Sequence, residues 1–105
     1  MKGIVMKKIV VFCVNGMSSG LIAENTQKAA DAEGYEAKVY EFALAQATEV
    51  VNLKPDCVLV SPQVRYQLDK ISEQMPCPVA VIDMMAFGRM DGVKALAQAK
   101  ELMGE

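Results

Sequence analysis

The chain has 105 residues, the length of one small domain, and 52% of them are apolar, enough for a single core. Its net charge of −2, with no block of Lys or Arg, argues against nucleic acid as a partner. The longest apolar run, Ile9 to Val14, falls far short of the ~20 residues of a membrane helix, and the start at Lys2 lacks a secretory segment, so a cytoplasmic chain that does not itself span the membrane is expected.

The cysteine and histidine counts narrow the chemistry. Three cysteines with no Cys-x-x-Cys pair, and no histidine at all, remove support from zinc sites and disulfide frameworks, and neither a metal nor a cofactor is expected. Without histidine the chain also lacks the usual general base and the usual phosphorylated nitrogen. If phosphate is carried here, sulfur carries it. Met6-Lys7-Lys8-Ile9 resembles a natural start, so residues 1–5 read as a non-essential extension of a single domain spanning 1–105.

Strand and helix patterns alternate four times along the chain. Lys7 to Cys13 reads as a first strand, continuous in its apolar residues as expected of a parallel strand covered on both faces. A helix from about Ser19 to Glu33 carries Leu21, Ile22, Ala29 and Ala30 on one side and stops at Gly34. Tyr35 to Phe42 alternates Tyr35, Ala37 and Val39 with Glu36 and Lys38, the pattern of an edge strand with one wet face. A second helix, Ala43 to Leu53, is broken by Lys54-Pro55-Asp56, and Cys57-Val58-Leu59-Val60 follows as a short, fully apolar and therefore central strand. Pro62 suits the first turn of a third helix, in which Val64, Leu68, Ile71 and Met75 share a face. Pro76-Cys77-Pro78 ends it, Val79 to Ile82 is the fourth strand, and a loop from Asp83 to Met90 leads to a last helix from about Asp91 to Met103.

This alternation implies a three-layer α/β/α domain around a four-stranded parallel sheet. With the second strand at an edge and the first and third central, the strand order is 2-1-3-4, as in flavodoxin-like folds and small cysteine phosphatases. Ligands of such sheets bind beyond the carboxyl ends of the strands where the order reverses, between the first and third strands. Cys13 stands at that place. Ser61, Pro62 and Gln63 open the neighbouring loop and Tyr66 lies one turn further on, so these residues are expected to form a rim, with Asp83 to Arg89 nearby. Cys57 reads as core, and Cys77 precedes the fourth strand at the far end, so neither is expected to reach Cys13.

The stretch after Cys13 gives this position its chemistry. After Val14 a short loop with Asn15, Gly16 and Met17 leads to Ser18 and Ser19, residues of the type that cap helices, and to Gly20; the unpaired N–H groups and partial positive charge of such a helix start suit an anion and favour thiolate over thiol. No charged residue lies between Lys8 and Glu24, and Leu21 and Ile22 stand where a capping box would place Glu or Gln, so the amides stay available locally. The competing reading is structural: a Cys ending an apolar strand is more often a small buried hydrophobe than a nucleophile.

Phe12-Cys13-x-x-Gly16-Met17-Ser18-Ser19, then Ser61-Pro62-Gln63-Val64-x-Tyr66, then Val81-Ile82-Asp83 with Gly88-x-x-Asp91-Gly92, resembles the IIB component of the lactose/cellobiose (lactose/chitobiose) branch of the bacterial sugar phosphotransferase system. The likeness runs over nearly the whole chain from Lys7. It implies a phosphorylated cysteine, here Cys13, cradled by Val14 to Gly20. It also implies a IIA protein that donates phosphate from a histidine, and a membrane-spanning IIC partner that holds a β-linked disaccharide and brings the chain to the membrane. The resemblance assigns no role to Arg65 and Arg89, for which the readings are a solvated surface or else partner docking or support of transition-state charge. Two other functions share this layout. A small cysteine phosphatase or arsenate reductase needs an arginine at the end of the loop, and no Arg precedes Arg65. A regulatory docking module is the other; a phospho-accepting receiver would need acidic residues where this chain has Phe12-Cys13 and Val60-Ser61.

Overall fold

The computed structural model describes residues 6–13 and 17–105, and for residues 17–19 the backbone alone. Strands β1 (Lys7–Cys13), β2 (Ala37–Ala43), β3 (Cys57–Val60) and β4 (Val79–Val81) form one parallel sheet in the order β2-β1-β3-β4. The helices are α1 (Met17–Glu33), α2 (Ala47–Leu53), α3 (Leu68–Gln74), α4 (Met84–Gly88) and α5 (Gly92–Leu102). The sheet order is the expected one, because the two strands with unbroken apolar sequences are those that need cover on both faces.

Side-chain alternation divides the interior into two cores. Ile9 and Val11 of β1, with Cys57 and Leu59 of β3, pack against α1, α4 and α5. Val10 and Phe12, with Val58 and Val60, pack on the opposite face against α2 and α3. Each of these side chains is fully buried, worth about 1.5–3 kcal/mol apiece for the larger aliphatic and aromatic ones.

Several boundaries differ from the sequence reading, for local reasons. The buried stripe of α1 is Ile22, Ala23, Thr26 and Ala30, whereas Leu21 is half exposed beside it. Thr26 is tolerated in the core because its hydroxyl donates to the Ile22 carbonyl at 2.7 Å. The second helix begins as a 3-10 turn, Leu44–Gln46, and the third as a 3-10 segment, Pro62–Gln67. Within the latter, Val64 leaves helical geometry (φ −113°, ψ 20°) and is buried against the sheet. The expected loop from Asp83 to Met90 contains α4, capped by the Asp83 carboxylate accepting from the Ala86 amide at 3.0 Å, and held down by buried Ala86 and Phe87. Five residues are too few to show a helical period in sequence.

Two glutamines close the sheet. Gln27 of α1 donates to the Ala37 carbonyl at 2.9 Å and accepts from the Val39 amide at 2.8 Å on the outer edge of β2. Gln98 of α5 donates to the Val81 carbonyl at 2.7 Å and accepts from the Asp83 amide at 2.9 Å on the outer edge of β4. Each amide acts as a short extra strand, satisfying edge groups that otherwise invite pairing with another chain. Gln98→Ala is expected to cost about 1–2 kcal/mol for its two hydrogen bonds, read from urea unfolding.

Helix α5 is set against α1 by a close approach at Gly92. A Cβ there would meet the backbone carbon and oxygen of Asn25 at 2.2 Å and the Thr26 nitrogen at 2.6 Å. The Asn25 side chain donates to the Met90 carbonyl at 2.8 Å, and Met90 itself turns with a φ of 54°, so one contact fixes both the turn and the helix that follows. At Gly20, by contrast, the nearest neighbour of such a Cβ among the described residues is the Glu41 carboxylate at 3.8 Å. Gly92→Ala is therefore expected to destabilise the fold by about 2–3 kcal/mol or more. Gly20→Ala should stabilise it by about 0.5–1 kcal/mol through helix propensity, both read in the same denaturation series.

Candidate functional site at the carboxyl end of β1

Cys13 is the last residue of β1, in register with Ala43 of β2 on one side. On the other side Phe12 pairs with Val60, and the Ser61 amide donates to the Phe12 carbonyl at 2.9 Å, so Ser61 follows as the lateral neighbour of Cys13. Ser61 is still extended (φ −64°, ψ 149°), and alternation continues through it. Cys13 and Ser61 therefore belong to the face that carries Ile9, Val11, Cys57 and Leu59, the face covered by α1. Both are buried, Cys13 at 4% exposure and Ser61 at none. Helix α1 starts at Met17, four positions after Cys13, and its first-turn amides have no intrahelical acceptors. Val14, Asn15 and Gly16, and the side chains of Met17, Ser18 and Ser19, lie outside the described residues; Gly20 is in the opening turns of α1.

The remaining rim candidates are placed differently from one another. Gln63, Arg65 and Tyr66 are exposed on the turn after β3; Tyr66 is 76% exposed and its hydroxyl accepts from the Gln67 side-chain amide at 3.2 Å. Asp83 follows β4, two strands from Cys13 or about 10 Å by sheet spacing, and its carboxylate is engaged as the cap of α4. Arg89 lines a small cavity between α4 and the start of α5 with Asp83, Met85, Asp91 and Lys94. Exposed Met84 and Met85 share with Tyr66 the carboxyl end of the sheet.

The other two thiols sit at the opposite end. Cys57 is the first residue of β3 and Cys77 precedes β4, whereas Cys13 is the last residue of β1. Cys57 belongs to the α1-side core and Cys77 packs on the α3 side, and none of the three cysteines is in a disulfide. Burial pushes the Cys57 thiol up to about 12, helped by the neighbouring Cys77 and Asp56. Burial, then Asp56, pushes Cys77 up to about 11. At neutral pH both are inert small hydrophobes. Among the described residues no group of three or more His, Cys, Asp or Glu side chains gathers to hold a metal, and no helix is long and apolar enough to cross a membrane.

Residues 8–98 match the family described as the phosphotransferase system lactose/cellobiose-specific IIB subunit. The chain belongs to this family. It is similar to the oligo-beta-mannoside-specific EIIB component of Bacillus subtilis (strain 168), with 40% identity over 101 residues covering 93% of this chain and 97% of that protein. It is also similar to the cellobiose-specific EIIB component of Lactococcus lactis subsp. lactis (strain IL1403), with 36% identity over 107 residues covering 92% and 96%. Among solved structures, the cellobiose-specific IIB component of Borrelia burgdorferi superposes with a TM-score of 0.78 at 28% identity, covering 97% of this chain and 95% of that one. The lactose-specific IIB domain of Streptococcus pneumoniae gives the same TM-score of 0.78 at 17% identity, covering 93% and 98%, a likeness of fold. The chain is thus a sugar-specific IIB component of the cellobiose/lactose type, in a family of phosphotransferases.

One charged group of this IIB site is invisible in the local sequence. The register of β2 pairs Glu41 with Val11, and its carboxylate comes within 3.8 Å of the Cβ position of Gly20 at the start of α1. Helix N-termini favour such a carboxylate. The stretch from Lys8 to Glu24, which has no acid between its ends, therefore has one close to Gly20 from the neighbouring strand.

The two raised thiols set an alkaline limit. Each keeps its proton when folded to well above its ordinary value of 9.0, so between there and the folded value the native state holds more protons than the unfolded one. Stability should be unaffected below about pH 8 and fall above about pH 9, by up to about 1.4 kcal/mol per pH unit for each thiol. In urea melts from about pH 8 to 10.5, Cys57→Ala should remove its share of that slope. An unchanged slope would show that Cys57 titrates normally.

Proposed function

We propose that this IIB subunit is a phosphoryl carrier, taking phosphate from a IIA phosphohistidine onto Cys13 and passing it to a sugar held by a membrane-spanning IIC partner. The observation that supports it best is positional. Of three cysteines, Cys13 alone stands at the carboxyl end of the sheet, at the strand-order reversal and before the start of a 17-residue helix. The sugar is expected to be a β-linked disaccharide or a related compound, as the names of the oligo-beta-mannoside and cellobiose relatives suggest.

The chemistry is an in-line displacement run twice. In the first, the Cys13 thiolate attacks phosphorus, the S–P bond forms as the N–P bond breaks, and the electron pair returns to the donor's imidazole nitrogen. In the second, a sugar hydroxyl attacks, the O–P bond forms, the S–P bond breaks to restore the thiolate, and the hydroxyl proton leaves to solvent or a base of the partner. The residues from Val14 to Gly20 take up the equatorial oxygens with backbone N–H groups, so catalysis is positioning and electrostatic support. The apolar side chains of Tyr66, Met84 and Met85, exposed at the same end of the sheet, suit docking of protein partners.

A phosphatase would need a cation to hold the dianion, and the two arginines, Arg65 and Arg89, stand on exposed turns after β3 and β4 rather than after Cys13. The test is intact mass after incubation with phosphoenolpyruvate, the general phosphotransferase proteins and a IIA of this class. Wild type should gain one phosphoryl group and lose it when IIC and sugar are added; Cys13→Ala should gain none and remain folded. Labelling of Cys13→Ala, or no labelling of wild type by several IIA proteins, would overturn the carrier role.

A further inference from the structure

Ser61 presents a buried polar group that the fold does not use. Its side chain has no exposure, and its hydroxyl has no hydrogen-bond partner among the described residues. The backbone around it is fully engaged: its amide donates to Phe12, its carbonyl accepts from the Val64 amide at 3.1 Å, and the preceding Val60 carbonyl accepts from Ile82 at 2.9 Å. A buried hydroxyl left unpaired costs free energy, and such groups in native structures call for a specific explanation.

The location supplies one. Ser61 is the lateral neighbour of Cys13 on an adjacent strand, on the same face of the sheet, with strands about 4.8 Å apart. Helix α1, whose unpaired amides open just after the Cys13 loop, covers that face. The hydroxyl is not bonded to the sulfur itself, since it has no partner. A phosphoryl group on that sulfur extends two bonds further and presents three oxygens, all acceptors.

We infer that the Ser61 hydroxyl belongs to the phosphoryl site, donating a hydrogen bond to a non-bridging oxygen of phosphate carried on Cys13. This rests on the carrier reading above and adds to it a residue contributed by β3 rather than by the cysteine loop. The donor is in place before phosphate arrives, and its bond is made only in the phosphorylated state and the transition states on either side. It is also uncharged. A neutral donor supports the dianion without the strong hold of a guanidinium, which suits a group that must leave again.

The experiment compares wild type with Ser61→Ala in a phosphoryl exchange with a phosphorylated IIA protein at fixed ratio, read by intact mass, together with the melting temperature of each unphosphorylated protein. Ser61→Ala should lower the equilibrium constant for Cys13 phosphorylation by about tenfold or more, the effect of one hydrogen bond to a charged group, and should melt no lower than wild type. A structural hydroxyl satisfied by a buried water would give the opposite pair of results: a lower melting temperature with unchanged exchange, and the inference is then wrong. If wild type itself takes no phosphate on Cys13, the carrier reading fails first, and this assignment with it. Should Ser61→Ala not fold, proton–phosphorus correlation in phosphorylated wild type decides: coupling of the Ser61 hydroxyl proton to phosphorus supports the bond, and a hydroxyl resonance unmoved by phosphorylation excludes it.

Discussion

Strand β1 is hydrogen-bonded on both sides along its length, from Lys7 with Ala37 to Cys13 with Ala43, and from Ile9 with Cys57 to Phe12 with Val60. Everything at the carboxyl end follows from that double register. A parallel strand between two others cannot slip by one residue without exchanging its two buried faces, and here both faces are filled with branched side chains at no exposure. The register therefore sets which residue of β3 stands beside Cys13, and which acid of β2 reaches the start of α1. A shift of one position would put Cys13 on the α2 and α3 face, away from the helix whose amides lie next to it in sequence.

The layers that cover this sheet are held by contacts specific in kind. Gly92 allows α5 to press against the backbone of α1 at Asn25, and Asn25 in turn fastens the turn at Met90. The third shared motif, Gly88 to Gly92, is in this light architectural: Asp91 accepts from the Lys94 amide to cap α5, and Gly92 makes the close approach. Gln27 and Gln98 close the two outer edges with the same pair of bonds, one residue's carbonyl and the amide two positions on. Such bonds matter at a sheet edge, because an open edge pairs without regard to sequence.

The site is notable for its charge balance. No arginine lies close to Cys13 in sequence, and the acid that approaches the start of α1 comes from β2. Under the carrier reading this is coherent: the phosphoryl group would rest on oriented N–H and O–H groups without a fixed cation to hold it. Binding that is too strong would stop the relay at this protein.

Much of the fold was legible along the chain because its signals are local. The continuous apolar runs of β1 and β3, the alternation of β2, the stop at Gly34 and the helix start signalled by Asp91 each arise within a few residues, and together they determine a parallel sheet in the order 2-1-3-4 with Cys13 at its reversal. The proposal of sulfur as the carrier atom likewise rests on sequence, since a chain without histidine has few other candidates. What only the tertiary structure decided are matters of distance between segments remote in sequence. Short helix α4 depends on burial of Ala86 and Phe87 rather than on periodicity. The 3-10 segment after β3 exists because Val64 must reach the core, which overrides the helical spacing of the residues beyond it. Which residue stood beside Cys13, and whether an acid came close to Gly20, depended on strand register, and register is set by packing on both faces of the sheet at once.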